Sequence, residues 1–176
     1  KDTLPVLIKG SNSLKPISYY EKKGSAQCKS SIMYAALNAP GKTKIKAKKS
    51  RNHTEILFKN LNLPIKIKKG KNHDLIELEG KKNIKSFNYN IPADISSSAF
   101  FIVLTLLAKK SNLIIKNVNI NPSRTGVITI LKKMGAKISL KNKRNYRGEK
   151  ISDILIKSSI NLKGINCPSE LNSSAI

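Results

Sequence analysis

Two periodicities take turns along this chain. From Lys42 to Lys48, lysines alternate with Thr43, Ile45 and Ala47, the two-residue period of a strand with one solvated face. From Ser25 to Leu37 the apolar positions Cys28, Ile32, Ala35 and Ala36 fall instead at helical spacing, and Ala39-Pro40-Gly41 stops the run. Extended along the sequence, the pattern predicts strands at Pro5–Ile8 and Ile17–Tyr20, a helix over Ser25–Leu37 and a strand at Lys44–Lys48. A helix near Asn52–Leu61 follows, with Ile56, Leu57 and Leu61 inward, and then strands at Ile65–Lys68 and Leu75–Leu78. The same order returns as strand Ile84–Tyr89, helix Ser96–Ala108, strand Leu113–Asn117, helix Thr125–Met134, and strands Lys137–Leu140 and Ile151–Lys157. Each half reads β-α-β-α-β-β, so the expected class is α/β.

Residues recur with the pattern. Ser50-Arg51 and Ser123-Arg124 each stand where a strand gives way to a helix, 73 positions apart, and that shift lays Leu57 on Ile130, Leu61 on Met134, Ile65 on Ile138 and Ile67 on Leu140. A shift of 71 lays Ser25 on Ser96, Ile32 on Val103 and Met33 on Leu104. The period is far longer than that of a solenoid and implies duplicated subdomains.

The helix over Ser96–Ala108 is apolar on every side through Phe100, Phe101, Ile102, Val103, Leu104, Leu106 and Leu107, so other elements should enclose it. The expected architecture is therefore repeated βαβαββ units with buried helices and outer sheets. The chain should hold parts of two domains, 1–90 and 91–176, parted near Asn90-Ile91-Pro92.

Composition alters this picture little, and charge more. A chain of 176 residues with 39% hydrophobic content can bury a core. The net charge of +24 first suggests a polyanion partner. Against it, the only arginines among 34 basic residues are Arg51, Arg124, Arg144 and Arg147, and aromatics are 5%. Nucleic-acid readers lean on the arginine fork and on base stacking, so no nucleic-acid partner is expected. Lysines alternating on a strand face are solvated, and richness in lysine, asparagine and isoleucine also arises from an AT-rich genome.

The apolar run Ala99–Ala108 is too short to cross a bilayer, and no charged leader precedes it, so no membrane partner is expected. Cys28 and Cys167 form no C-x-x-C pair, which fits a reducing, cytoplasmic setting. Lys1 is not an initiator methionine, so the true N-terminus is expected elsewhere.

Ordinary catalytic constellations are scarce. His53 and His73 lack the spacing of metal ligands, and no P-loop, G-x-G-x-x-G or nucleophile elbow occurs. Cys28 reads as a core thiol. Three helix openings stand out. At Gly24-Ser25-Ala26-Gln27, backbone N–H groups, a hydroxyl and an amide converge on a positive helix end, which suits either an anion or plain serine capping. Ser50-Arg51 offers a second cap beside a fixed charge able to grip phosphate or carboxylate, or else a surface arginine. Asp94 with Ser96, Ser97 and Ser98 opens a third helix, where capping is the simpler reading.

Taken in order, Ser25-Ala26-Gln27, Lys48-Lys49-Ser50-Arg51-Asn52-His53-Thr54-Glu55, Asp94-Ile95-Ser96-Ser97-Ser98-Ala99-Phe100-Phe101 and Asn121-Pro122-Ser123-Arg124-Thr125-Gly126 closely resemble the EPSP synthase family, the 3-phosphoshikimate 1-carboxyvinyltransferases. The resemblance spans essentially the whole chain. It implies two domains built of βαβαββ units around a closing cleft, and transfer of the enolpyruvyl group of phosphoenolpyruvate to the 5-hydroxyl of shikimate 3-phosphate. Phosphate is released, and no metal or organic cofactor is implied. It further implies a monomer when full length.

Carried over position by position, Ser25, Ala26, Gln27, Ser50 and Arg51 match shikimate 3-phosphate contacts, and Gln27 also matches a phosphoenolpyruvate contact. Ala26 stands where other members have serine, and Ala93 where glycine is usual. The family's proton-accepting aspartate would follow directly after Asn172-Ser173-Ser174-Ala175-Ile176, and its N-terminal lysine, serine and arginine cluster has no match. The chain is thus expected to be an internal stretch of the enzyme, inactive by itself. Two relatives share the architecture. An enolpyruvyl transferase for a UDP-sugar would carry a different contact pattern, and an RNA 3'-phosphate cyclase would need a reactive histidine that is not found.

Overall fold

The computed structural model describes residues 4–80 and 82–175. Its elements run β1 (Ser18–Glu21), α1 (Ala26–Ala36), β2 (Lys42–Lys48), α2 (His53–Asn60), β3 (Ile65–Lys68), β4 (His73–Glu79), α3 (Ile95–Leu107), β5 (Asn112–Asn119), α4 (Gly126–Lys133), β6 (Lys137–Tyr146) and β7 (Glu149–Lys157). A short 3₁₀ turn (Ser169–Leu171) and α5 (Asn172–Ala175) follow. The chain divides into two compact units, Lys1–Lys49 with Leu63–Ile84, and Ser50–Asn62 with Lys85–Ile176.

In the first unit the strand order is β1-β2-β4-β3, with β1 parallel to β2 and the other pairs antiparallel. The alternation of β2 is as its sequence requires: Lys42, Lys44, Lys46 and Lys48 are exposed, while Thr43, Ile45 and Ala47 are buried. Ile45 pairs with Ile76 and Thr43 with Leu78 on the inner face, which α1 covers through Met33 and Ala36. Lys44 lies opposite Glu77 outside, 3.7 Å apart. The buried stripe of α1 is Lys29, Met33 and Ala36, one position on from the expected one. Cys28 is therefore exposed and is not a core thiol.

The second unit repeats that topology. Ala93 forms a parallel bridge to Val118 of β5, β5 pairs antiparallel with β7, and β7 with β6. Ile95, Ile102 and Leu106 of α3 and Ile128 and Leu131 of α4 pack with Val118, Ile138, Ile154 and Ile156 into one core. In α2 the fully buried residues are Glu55 and Phe58, whereas Ile56, Leu57 and Leu61 are half-buried, a correction to the expected inner face.

Two expected strands do not form. Pro5–Ile8 forms no strand, bending at Pro5, with Leu7 83% and Ile8 86% exposed; apolar character alone makes no strand without a ladder partner. Ile84–Tyr89 is likewise irregular, and its place beside β5 is taken by Ala93, whose N–H donates to Asn117 O at 3.0 Å and whose carbonyl accepts from Asn119 N at 2.9 Å. The all-round apolar α3 is enclosed on one side only here: Ile95, Ile102 and Leu106 are buried, but Phe100 is 78% and Leu104 65% exposed.

Candidate functional site

The first opening lies between β1 and α1. The chain turns at Gly24, whose φ of 78° suits glycine, and Ser25 caps α1 by accepting from Cys28 N at 3.2 Å. Sequence reasoning missed Glu21. This buried carboxylate at the end of β1 accepts from the backbone N–H of Lys23 (2.9 Å) and Gly24 (2.7 Å). Burial pushes its pKa up, but hydrogen bonds from the Ser25, Gly24 and Lys23 backbone and the charge of Lys29 outweigh that and hold it below the ordinary value. Some of the N–H groups that the sequence offered to an outside anion are thus taken by an inside one. Ser25 and Ala26 remain half-buried, and Gln27 is exposed. An acidic residue closing a strand three positions before a Gly-Ser cap was the signal that could have found Glu21, and the buried Lys29 explains the rotated stripe of α1.

The second opening, Ser50-Arg51 before α2, is held differently. Asn52 is the N-cap residue yet makes no capping bond; its Oδ1 accepts from Asn121 Nδ2 at 2.8 Å. His53 Nδ1 lies 2.5 Å from Glu149 Oε1, and Asn121 Nδ2 reaches Glu149 Oε2 at 3.3 Å. Asn121 Oδ1 in turn accepts from Ser123 N and Oγ at 2.9 and 2.8 Å. Glu149, only 5% exposed, is pushed up by burial but brought below its ordinary pKa by hydrogen bonds from His53, Asn119 and Asn121 and by the charge of His53. Beside this network Arg51 is half-buried, and the Ser50 hydroxyl is shielded from solvent without a hydrogen-bond partner. The network joins residues up to 97 positions apart, which no local pattern reveals.

At the third opening Asp94 caps α3, accepting from Ser97 N at 2.9 Å and Ser97 Oγ at 3.0 Å. Arg124 Nη2 donates to Asp94 Oδ1 at 2.9 Å and to Ser96 Oγ at 2.5 Å, while its Nε is buried and unpartnered. Ser96 and Arg124, the repeat mates of Ser25 and Arg51, therefore meet, with Asp94 supplying the anion. The simpler capping reading of this opening holds.

Among the described residues no group of three or more His, Cys, Asp or Glu could hold a metal, and no helix is long and apolar enough to cross a membrane. Serine, glutamine and arginine at helix openings make chemistry for holding anions. The family model described as EPSP synthase (3-phosphoshikimate 1-carboxyvinyltransferase) matches residues 1–168. The chain belongs to the EPSP synthase family. A 3-phosphoshikimate 1-carboxyvinyltransferase of Ruthia magnifica is 45% identical over 174 residues, covering 98% of this chain and 39% of that protein. One from Caldicellulosiruptor bescii is 43% identical over 166 residues, covering 94% of this chain and 38% of its own length. The solved EPSP synthase of Acinetobacter baumannii superposes with a TM-score of 0.75 at 39% identity, over 90% of this chain and 35% of that one. The chain thus spans little more than a third of these family members, and the mixed sheets and helices described above are the family's fold.

Proposed function

We propose that the protein carrying this chain is a 3-phosphoshikimate 1-carboxyvinyltransferase. It transfers the enolpyruvyl group of phosphoenolpyruvate to the 5-hydroxyl of shikimate 3-phosphate, giving 5-enolpyruvylshikimate 3-phosphate and phosphate. The observation that carries this is the family match over residues 1–168, together with relatives above 40% identity that bear that enzyme's name. Ser25, Ala26, Gln27, Ser50 and Arg51 bind shikimate 3-phosphate in this reading, and Gln27 also meets phosphoenolpyruvate. The orphaned Ser50 hydroxyl supports the assignment, since an unmet buried hydrogen bond costs about 1–3 kcal/mol and a phosphate or ring oxygen would relieve it. Arg51 adds a fixed charge that a phosphate can accept bidentately.

Residues 1–90 and 91–176 belong to different domains of a cytoplasmic monomer that needs no cofactor and binds neither nucleic acid nor membrane. Because the chain spans 38–39% of its relatives, the 176 residues alone should show no turnover. Calorimetric titration of the complete protein with shikimate 3-phosphate tests the reading. Arg51→Ala should weaken binding by roughly 1.5 to 3 kcal/mol, the usual worth of hydrogen bonds to charged groups. An unchanged affinity would remove Arg51 from the site. Tight, steeply salt-dependent binding of generic single-stranded RNA, with no response to shikimate 3-phosphate, would overturn the function itself.

A further inference from the structure

The Ser50-Arg51 turn leads into α2, and the first two residues after Arg51 are both fastened away from the helix itself. Asn52 gives its side chain to Asn121 rather than to the helix it caps, forgoing a bond worth about 1 kcal/mol. His53 is held at Nδ1 by Glu149. Glu149 opens β7 directly after the turn at Gly148, and Asn121 follows β5 by two residues, so both anchors are seated by the same sheet. They are joined to each other through Asn121 Nδ2 and Glu149 Oε2.

A carboxylate as buried as Glu149 adds little to stability compared with a well-packed apolar side chain, because desolvation offsets most of its pairing energy. What it supplies is geometry. As an acceptor it requires a hydrogen on His53 Nδ1, which holds the plane of the ring. With its second oxygen it orients the Asn121 amide, whose other contacts to Asn52 and Ser123 then have one arrangement.

We propose that Glu149 is a positioning residue for the anion-binding turn: through His53, and through Asn121 and Asn52, it sets where Arg51 meets shikimate 3-phosphate. The inference rests on the function proposed above. In Glu149→Gln one carboxylate oxygen becomes an NH₂, so either His53 Nδ1 or Asn121 Nδ2 faces a donor, while side-chain volume is kept.

The test uses the complete protein. In Glu149→Gln the KM for shikimate 3-phosphate should rise about tenfold, equivalent to about 1.4 kcal/mol, with the KM for phosphoenolpyruvate little changed and the thermal midpoint lowered by the buried donor left facing a donor. Long-range ¹⁵N spectra should show the His53 Nδ1 resonance shifted, because its charged carboxylate acceptor is gone. In an Arg51→Ala background the same substitution should cost much less, because the two act through one turn. A loss of thermal midpoint and kcat with both KM values unchanged would show a merely structural role and overturn the proposal, as would full additivity with Arg51→Ala. If Glu149→Gln does not fold, Asn52→Ala, which cuts the link to Asn121, is judged by the same criteria. A wild-type protein that ignores shikimate 3-phosphate would overturn the function and this inference together, whereas normal wild-type binding left intact by Glu149→Gln overturns this inference alone.

Discussion

Two buried glutamates, one in each compact unit, carry most of the polar order near the candidate binding turns. Glu21 ties down the backbone of Lys23 and Gly24 before α1, and Glu149 ties down His53 and Asn121 around the start of α2. Both carboxylates sit below their ordinary pKa of 4.5 when folded. On acidification the unfolded chain therefore takes up these protons first. Their contribution to stability is whole above about pH 4.5 and drains away as the pH falls through the lower folded values. A series of thermal midpoints from pH 6 to pH 3 should fall for the wild type, while Glu21→Gln should start lower and run flatter below pH 4.5. Parallel curves for the two proteins would show that Glu21 is not held as a carboxylate.

At the scale of elements, α1, α2, α3 and α4 were all legible, because their apolar spacing and capping residues sit close together in sequence. The expected helix limits even included the caps Ser25, Asn52 and Thr125. Strand β3 and the lysine face of β2 were legible for the same reason. Strand formation at Pro5–Ile8 and Ile84–Tyr89 was not, since a ladder depends on a distant partner. Nor were the inward faces of α1 and α2: Lys29 turns inward toward the charge of Glu21, and Phe58 took the place assigned to Ile56 and Leu57.

The candidate turns were singled out by their residue types, while the network fastening one of them was hidden in sequence distance. One contact between elements is narrow enough to test. A Cβ at Gly126, the first residue of α4, would stand 2.5 Å from Ser174 Oγ and 2.8 Å from Ala175 N, with backbone on that side unable to give cheaply. Gly126→Ala should displace α5, seen as faster amide exchange over residues 169–175 with the α3 core unaffected; unchanged exchange would mean the contact is slack.

For the whole molecule, the unevenly covered α3 is the most informative element. Ile95, Ile102 and Leu106 complete one core, yet Phe100, Phe101, Leu104 and Leu107 lie exposed along the same helix. Such a face is larger than scattered surface apolar residues explain. Since the chain spans only 38–39% of its relatives, we propose that other parts of the complete protein cover this face. Phe100→Lys should make the 176-residue chain more soluble and less able to bind a hydrophobic dye, but should destabilise the complete protein by about 3 kcal/mol or more, as for loss of a buried aromatic. Equal tolerance in both would mean the face stays in water. Enzymatic identity is tested most directly by ³¹P NMR of the complete protein with shikimate 3-phosphate and phosphoenolpyruvate. One inorganic phosphate should be released for each 5-enolpyruvylshikimate 3-phosphate formed, and none without the acceptor. Phosphate release independent of shikimate 3-phosphate, or no reaction at all, would contradict it.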